Sequence, residues 1–151
     1  MRAHSHHHGA DGAPIVTAAQ ATLHCLSGCV IGEVAGLAIG VTAGLSVWPT
    51  ILLATGLAYL TGFALGVLPV MRRLSVGFFT AFRIIWFGEA ISIGVMEIVM
   101  NAVDYQMGGV QAASVFDLAF WRGLAYAVPA GFFAAWPVNW LLLRRALKEP
   151  A

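Results

Sequence analysis

Four long apolar segments, separated by short turns, dominate this chain of 151 residues. A membrane-spanning helix needs about 20 apolar residues to cross about 30 Å of hydrocarbon, and each segment reaches that length. Charged residues make up only 10% of the sequence, whereas a soluble domain has about 25%. The expected spans run over residues Val16–Val47, Thr50–Val70, Phe78–Tyr105 and Phe116–Leu143.

This pattern predicts an all-α fold, an integral membrane four-helix bundle. We expect one domain over residues 16–145, between a flexible, His-rich segment over residues 1–15 and a charged tail over residues 146–151. The His-rich segment does not resemble a cleavable signal peptide, so the first span is expected to direct insertion and to remain. The predicted partner is the lipid bilayer. A net charge of +1 offers no surface for nucleic acid, so none is expected to bind.

Basic residues are confined to one side of the predicted membrane, apart from Arg122 at the start of the fourth segment. They occur at the N-terminus, in the turn between the second and third segments, and in the C-terminal tail. With four spans, these three regions share one side, and the positive-inside rule makes that side the cytoplasm. Both termini are therefore predicted to be cytoplasmic. The residues are Arg2, Arg72, Arg73, Arg144, Arg145 and Lys148.

The first segment carries two adjacent rows of residues, each spaced every four positions. Residues four apart lie on the same face of a helix, and rows of small residues let helix backbones approach closely in a membrane. The glycine row therefore predicts a groove for another helix, and a homo-oligomer or a larger membrane complex could form through it. A substrate path along the groove is the alternative. One row is His24, Gly28, Gly32, Gly36, Gly40 and Gly44, and the other is Cys25, Cys29 and Glu33.

The two cysteines lie one helical turn apart, and His24 precedes the first of them. Thiolates bind soft metals, notably copper(I), and imidazole also suits copper and zinc. The spacing allows Cys25 and Cys29 to place two sulfur atoms on one ion. Two other interpretations stay open at this point: a redox-active thiol pair, or two small apolar side chains that fill space.

The third segment has a polar face that covers about half of a helix circumference at ~100° per residue. Carboxyl groups at membrane depth are costly and often mark paths for ions or protons. Methionine thioethers favour copper(I). The alternative is structural, with Glu89 paired to Arg83 and Asp104 paired to Arg122. The polar face consists of Glu89, Ser92, Met96, Glu97, Met100, Asn101 and Asp104.

The first and third segments cross the membrane in the same direction, and their polar groups lie at matching depths. We therefore expect Glu33 and Glu97 to face the same interior region, with Met96 or Met100 within reach of Cys29. The predicted metal ligands are His24, Cys25, Cys29, Glu33, Met96, Glu97 and Met100. A second, weaker metal site is predicted at His4, His6, His7 and His8, unless this tract is a purification tag.

Two stretches resemble the motifs of a bacterial membrane family known as domain of unknown function 4396. They are the first-segment motif Thr22–Glu33 and the third-segment motif Ser92–Asn101. Phe120-Trp121 and Pro137-Val138-Asn139 match its fourth helix, where Asn139 could also satisfy a carbonyl freed by Pro137.

The family motif has an aspartate where this chain has a methionine, Met100, and here Asp104 follows one turn later. The resemblance implies a multi-pass protein of the bacterial inner membrane. It also implies a native His tract, because members are often His-rich at one end, and it supplies no activity.

Together these observations favour a membrane protein that binds and handles or transports a soft metal ion, with copper as the expected ion. One alternative is a non-catalytic accessory subunit of a larger membrane complex, and another is a membrane thiol-redox protein. The sequence shows no arrangement of nucleophile, base and orienting group, so an enzyme is not expected.

The predicted orientation can be tested with reporter fusions. A fusion after Lys148 should report the cytoplasm, and a fusion within Gly108-Gly109 should report the opposite side, because the basic residues flank only the cytoplasmic ends. Alkaline phosphatase and green fluorescent protein fusions at both positions measure this. A phosphatase-active fusion after Lys148 would reverse the orientation.

Overall fold

The structure, a computed structural model, describes residues 12–148, with side chains described for residues 15–145. These residues form four α-helices and no strand: α1 (Gly12–Thr42), α2 (Val47–Leu74), α3 (Phe78–Met107) and α4 (Leu118–Lys148). Each helix is long and apolar enough to cross a membrane. The predicted all-α fold with four membrane-spanning helices is confirmed.

The first two helices differ from the predicted spans at their ends. α1 ends at Thr42, five residues before the predicted limit, and α2 already begins at Val47. Gly44 lies in the turn between these helices and has a φ of +68°, a value that glycine adopts without strain. α2 continues past the predicted limit and includes Arg72 and Arg73, predicted as a turn. Basic side chains in a last turn interact favourably with the helix dipole.

The last two helices are also longer than predicted. α3 ends at Met107, where Gly108 adopts the left-handed conformation that commonly terminates helices. α4 begins at Leu118 and runs to Lys148, so the start of the predicted charged tail is helical. Arg144 stacks on the Trp140 ring, with 4.6 Å between the guanidinium carbon and the ring centroid. This cation–π contact helps α4 to continue beyond the apolar segment.

Each helix packs against its neighbours in sequence, and α4 closes the bundle by packing against α1. α1 and α3 lie diagonally across the bundle and approach each other at only a few positions. Because they run in the same direction, residues at matching depths face each other across the interior. All four helices contribute to the buried core, and its polar and sulfur-containing side chains come mainly from α1 and α3.

The outer surface of the bundle carries large apolar side chains. Leu52 is 70% exposed, Ile98 is 72% exposed and Phe133 is 65% exposed. Such exposure would be unfavourable in water. It suits contact with lipid, whose chains are as apolar as leucine.

The glycine row of α1 packs against α2 of the same chain. A side chain on Gly32 would collide with the backbone of Leu57, and one on Gly36 would collide with Ala54. Thr61 reinforces this contact by donating a hydrogen bond to the Gly28 carbonyl oxygen at 2.6 Å. Close helix packing is thus the role of the row. Since α2 fills the groove, it leaves no room there for a substrate or a partner subunit, in contrast to those hypotheses.

Adding a methyl group at Gly36 tests this contact. The Gly36→Ala change should lower the free energy of unfolding by about 1–3 kcal/mol, because the new Cβ would meet the Ala54 backbone. The matched control is Gly56→Ala on α2, where nothing lies within 4 Å. That change should be neutral or stabilise by up to about 1 kcal/mol through helix propensity.

Unfolding by denaturant in mixed micelles measures both effects. Equal effects of the two substitutions would contradict the close contact.

Candidate functional site

The sulfur-containing side chains predicted as ligands belong to one buried cluster at the centre of the bundle. Cys25 is 3% exposed, and Cys29, Met96 and Met100 are fully buried. Both cysteines are free thiols. The structure therefore brings the two thiols of α1 and the two thioethers of α3 into one apolar region, which we call the sulfur cluster.

Glycines of α2 and α4 make room for this cluster. The Cys29 Sγ faces Gly62 of α2 and would lie 3.1 Å from a Cβ placed there. The two methionine side chains lie against Gly131 of α4, where an added Cβ would be 2.8 Å from the Met100 Sδ. Gly62 and Gly131 are thus part of the site, although their spacing in the sequence gave no reason to connect them with it.

The Glu33 and Glu97 carboxyl groups meet between α1 and α3, within range of a shared hydrogen bond. Glu33 is fully buried and Glu97 is 2% exposed. No described residue donates a hydrogen bond to either oxygen of Glu33 or to Oε1 of Glu97. Two facing carboxyl groups in an apolar interior are stable when a proton or another cation lies between them. The expectation that these groups share one interior region is confirmed.

The Asn101 side chain holds one edge of this pair. Its amide nitrogen lies 3.4 Å from the Glu97 Oε2 and also donates to the Thr55 hydroxyl oxygen at 3.1 Å. The same nitrogen donates to the Glu97 backbone oxygen at 2.8 Å. Asn101 therefore connects α3 to α2 and fixes the Glu97 side chain, while Oε1 of Glu97 has no hydrogen-bond partner among the described residues.

Two further acids extend the polar interior in both directions along α3. The Glu89 carboxyl group is a direct neighbour of the Cys25 thiol. Asp104 is 1% exposed and lies against Gly109 and Gly123. The fifteen residues from Glu89 to Asp104 correspond to about 22 Å along a helix, most of the ~30 Å hydrocarbon thickness. Neither acid was among the predicted ligands, although both lie on the predicted polar face.

Arginines do not neutralise Asp104. Arg122 donates to the Met107 carbonyl oxygen at 3.0 Å, and neither oxygen of Asp104 has a hydrogen-bond partner among the described residues. The backbone N–H of Val110 lies near the Asp104 carboxyl group and interacts with it favourably, but the two do not form a well-aligned hydrogen bond. The alternative prediction of an Asp104–Arg122 pair is wrong. The Glu89 carboxyl group has His24 as a neighbour, whereas Arg83 is exposed.

His24 has a specific structural partner. Its Nε2 lies 2.9 Å from the Leu65 carbonyl oxygen. That carbonyl would normally accept from residue 69, but Pro69 has no N–H. Because a carbonyl can only accept, Nε2 carries the proton, and only Nδ1 retains a lone pair. The ring thus repairs the hydrogen bond that Pro69 removes, and it stands at the edge of the sulfur cluster rather than within it.

Asn139 also connects two helices. Its amide nitrogen donates to the Thr22 hydroxyl oxygen at 2.8 Å, and Thr22 in turn donates to the Ala18 carbonyl oxygen at 2.7 Å. The expected role of Asn139 beside the carbonyl freed by Pro137 is therefore replaced by a contact between α4 and α1.

Within the described part of the chain, no three His, Cys, Asp or Glu side chains form a group that could hold a metal ion. A soft ion in this interior would need the thiol pair together with thioether sulfur. The N-terminal site predicted at His4, His6, His7 and His8 lies outside the described residues.

A family model described as Domain of unknown function (DUF4396) matches residues 16–148, which is nearly the whole chain. No curated protein and no solved structure matches. The matched region includes α2, α3 and α4, all of α1 except its first four residues, and every residue of the sulfur cluster.

The contact between His24 and Pro69 can be tested with a double-mutant cycle. His24→Ala should destabilise the protein by about 1 kcal/mol, because it leaves the Leu65 carbonyl without a partner. In a Pro69→Ala background this loss should shrink, since residue 69 then supplies the missing N–H. Ser27→Ala, which removes only a contact within α1, is the control. The same loss in both backgrounds would show that His24 acts otherwise.

Proposed function

This chain belongs to the family described as Domain of unknown function (DUF4396), and from its interior we propose that it binds copper(I) and moves or delivers the ion. The observation that supports this most directly is the sulfur cluster, in which two free thiols and two thioethers share one buried region. Thiolate and thioether ligands select soft ions such as copper(I).

The ligand chemistry favours copper(I) over harder metals. Zinc and other divalent ions use histidine, thiolate and carboxylate ligands, and no such group of three occurs among the described residues. Cys25 and Cys29 are the proposed primary ligands, and Met96 and Met100 complete the site. His24 and the N-terminal histidines are proposed to act at the entrance, where the ion is first collected.

The carboxyl groups supply the charge balance. The Glu89 carboxylate lies beside the Cys25 thiol, so it can accept the proton that the thiol releases when copper(I) binds. The copper(I) ion then takes the place of the proton on the Cys25 sulfur atom. Both carry a single positive charge, so the charge at the sulfur atom does not change. Glu33 and Glu97 lie further along the same interior and can serve as the next ligands or proton acceptors.

The position of these groups suits passage across the membrane. With both termini in the cytoplasm of a bacterial inner membrane, Glu89 and Cys25 lie in the cytoplasmic half and Asp104 lies toward the opposite surface. Ionisable residues inside a bundle are costly and commonly mark the path of an ion or proton. A row of such residues over about 22 Å of α3 is therefore best explained by a path for a cation.

Two features of the structure favour this proposal over the two alternatives, a thiol-redox protein and an accessory subunit. The cysteines are almost fully buried, so a redox partner protein could not reach them without opening the bundle. The glycine groove, which had suggested an accessory subunit, is filled by α2. No catalytic arrangement is proposed.

Copper(I) titration under anaerobic, reducing conditions tests the proposal. Untagged protein in lipid nanodiscs should retain copper against a competing chromophoric chelator. The Cys25→Ser/Cys29→Ser variant should lose this copper while remaining folded, because serine is close to cysteine in size. The Met96→Leu/Met100→Leu variant should bind more weakly, by about tenfold or more.

Matched controls separate the interior site from other sulfur and histidine groups. Met107→Leu changes a methionine outside the sulfur cluster and should leave the titration unchanged. Replacing His4, His6, His7 and His8 by alanine should remove only weakly held metal. The proposal fails if the wild type retains no copper, or if the double cysteine variant retains as much as the wild type.

A further inference from the structure

A groove with a volume of about 780 Å³ lies between α2 and α3. It extends from the first turn of α2 and the last turn of α3 to the level of Glu97, about 15 Å deeper along α3. Its volume falls within the range of about 300–1,000 Å³ that is typical of small-molecule sites.

The inner end of the groove is polar. Glu97 forms part of the lining, with a free Oε1 on a side chain that is 98% buried, as its 2% exposure states. Asn101 and Thr55 lie beside it and are hydrogen-bonded to each other. The Tyr59 hydroxyl donates to the Ala90 carbonyl at 3.0 Å, which holds its ring against the groove.

The walls are apolar and aromatic. Trp48 and Tyr105 lie at the outer end, and Ile51 and Ile98 line the two sides. Among the described residues, no lysine, arginine or histidine lines the groove, so none of them balances Glu97 there. Glu33, directly behind Glu97, adds a second carboxyl group. The groove therefore combines an apolar, aromatic body with an acidic inner end.

We propose that this groove binds a compact hydrophobic organic cation that enters from the lipid phase and places its positive charge beside Glu97. The charge complements the two carboxyl groups, and the aromatic ring of Tyr59, which also lines the groove, can attract a cation through its face. A lipid acyl chain could fill the walls but would leave the free oxygen of Glu97 without a partner. A hydrophobic anion of equal size would be repelled.

None of the four sulfur residues lines the groove, so the proposed primary copper ligands lie outside it, and Glu97 is the group that the two proposals share. Failure of one proposal therefore does not imply failure of the other. The Cys25→Ser/Cys29→Ser variant should lose copper but keep the organic cation, and this difference distinguishes the two sites.

Equilibrium dialysis of the protein in lipid nanodiscs, against tetraphenylphosphonium and against tetraphenylborate, tests the proposal. These two ions have nearly the same size and shape and opposite charge. After subtraction of uptake by protein-free nanodiscs, saturable binding is expected for the cation alone. Equal saturable binding of both ions, or of neither, would overturn the proposal.

Three substitutions locate the bound cation. Glu97→Gln should weaken binding by about tenfold or more, since it removes the charge next to the ligand. Glu89→Gln is the matched control, because Glu89 is a half-buried acid of the same helix that does not line the groove; binding should be unchanged.

Ala102→Phe fills the groove from an exposed position and leaves Glu97 intact. It therefore tests whether the cation occupies the groove even if Glu97→Gln fails to fold. This variant should lose binding. Full binding by Ala102→Phe, or equal loss in the Glu89 and Glu97 variants, would show that the cation does not occupy the groove.

Discussion

The close contact between α1 and α2 determines the arrangement of everything else in the bundle. Because a row of α1 glycines faces α2, the two backbones approach closely, and this contact favours one rotation of α1 about its axis. The neighbouring row is turned by about 100° on the helix. That rotation directs Cys25, Cys29 and Glu33 into the interior, toward α3.

The interior so formed contains acidic side chains, whereas large apolar side chains cover the outer surface. An ionised side chain at the bilayer centre costs about 2.5–3.5 kcal/mol on insertion scales, and four acids of this chain lie within the spans. Paired arginines would be the simplest compensation, but Asp104 has none and Glu33 faces Glu97 instead. An interior that stays acidic without basic partners is suited to hold cations. Both proposed ligands, copper(I) and an organic cation, meet this condition at different places.

Hydrogen bonds between helices hold this costly interior in place. Thr61 connects α2 to Gly28 of α1, Asn101 connects α3 to Thr55 of α2, and Asn139 connects α4 to Thr22 of α1. Such contacts average about 0.6 kcal/mol in membranes, so their main effect is on register rather than on total stability. Each fixes the depth of one helix relative to the next, which keeps Glu33 level with Glu97.

The sequence by itself determined the four helices, their membrane character and the residues that can carry chemistry, because apolar length and residue spacing are local properties. It also indicated that Glu33 and Glu97 would meet, since parallel helices place them at equal depth. The helix ends at Thr42 and Leu74 were missed. The short turn after Thr42 has little local signal, and Arg72 and Arg73, predicted as a charged turn, continue α2 instead.

Only the tertiary structure decided which partner each group meets. It assigned the glycine row to α2, His24 to the Leu65 carbonyl, and Gly62 and Gly131 to the sulfur cluster. It also opened the groove beside Glu97, between two helices that diverge there. The physical reason is that spacing along one helix specifies a face, whereas the neighbour of that face depends on how all four helices pack together.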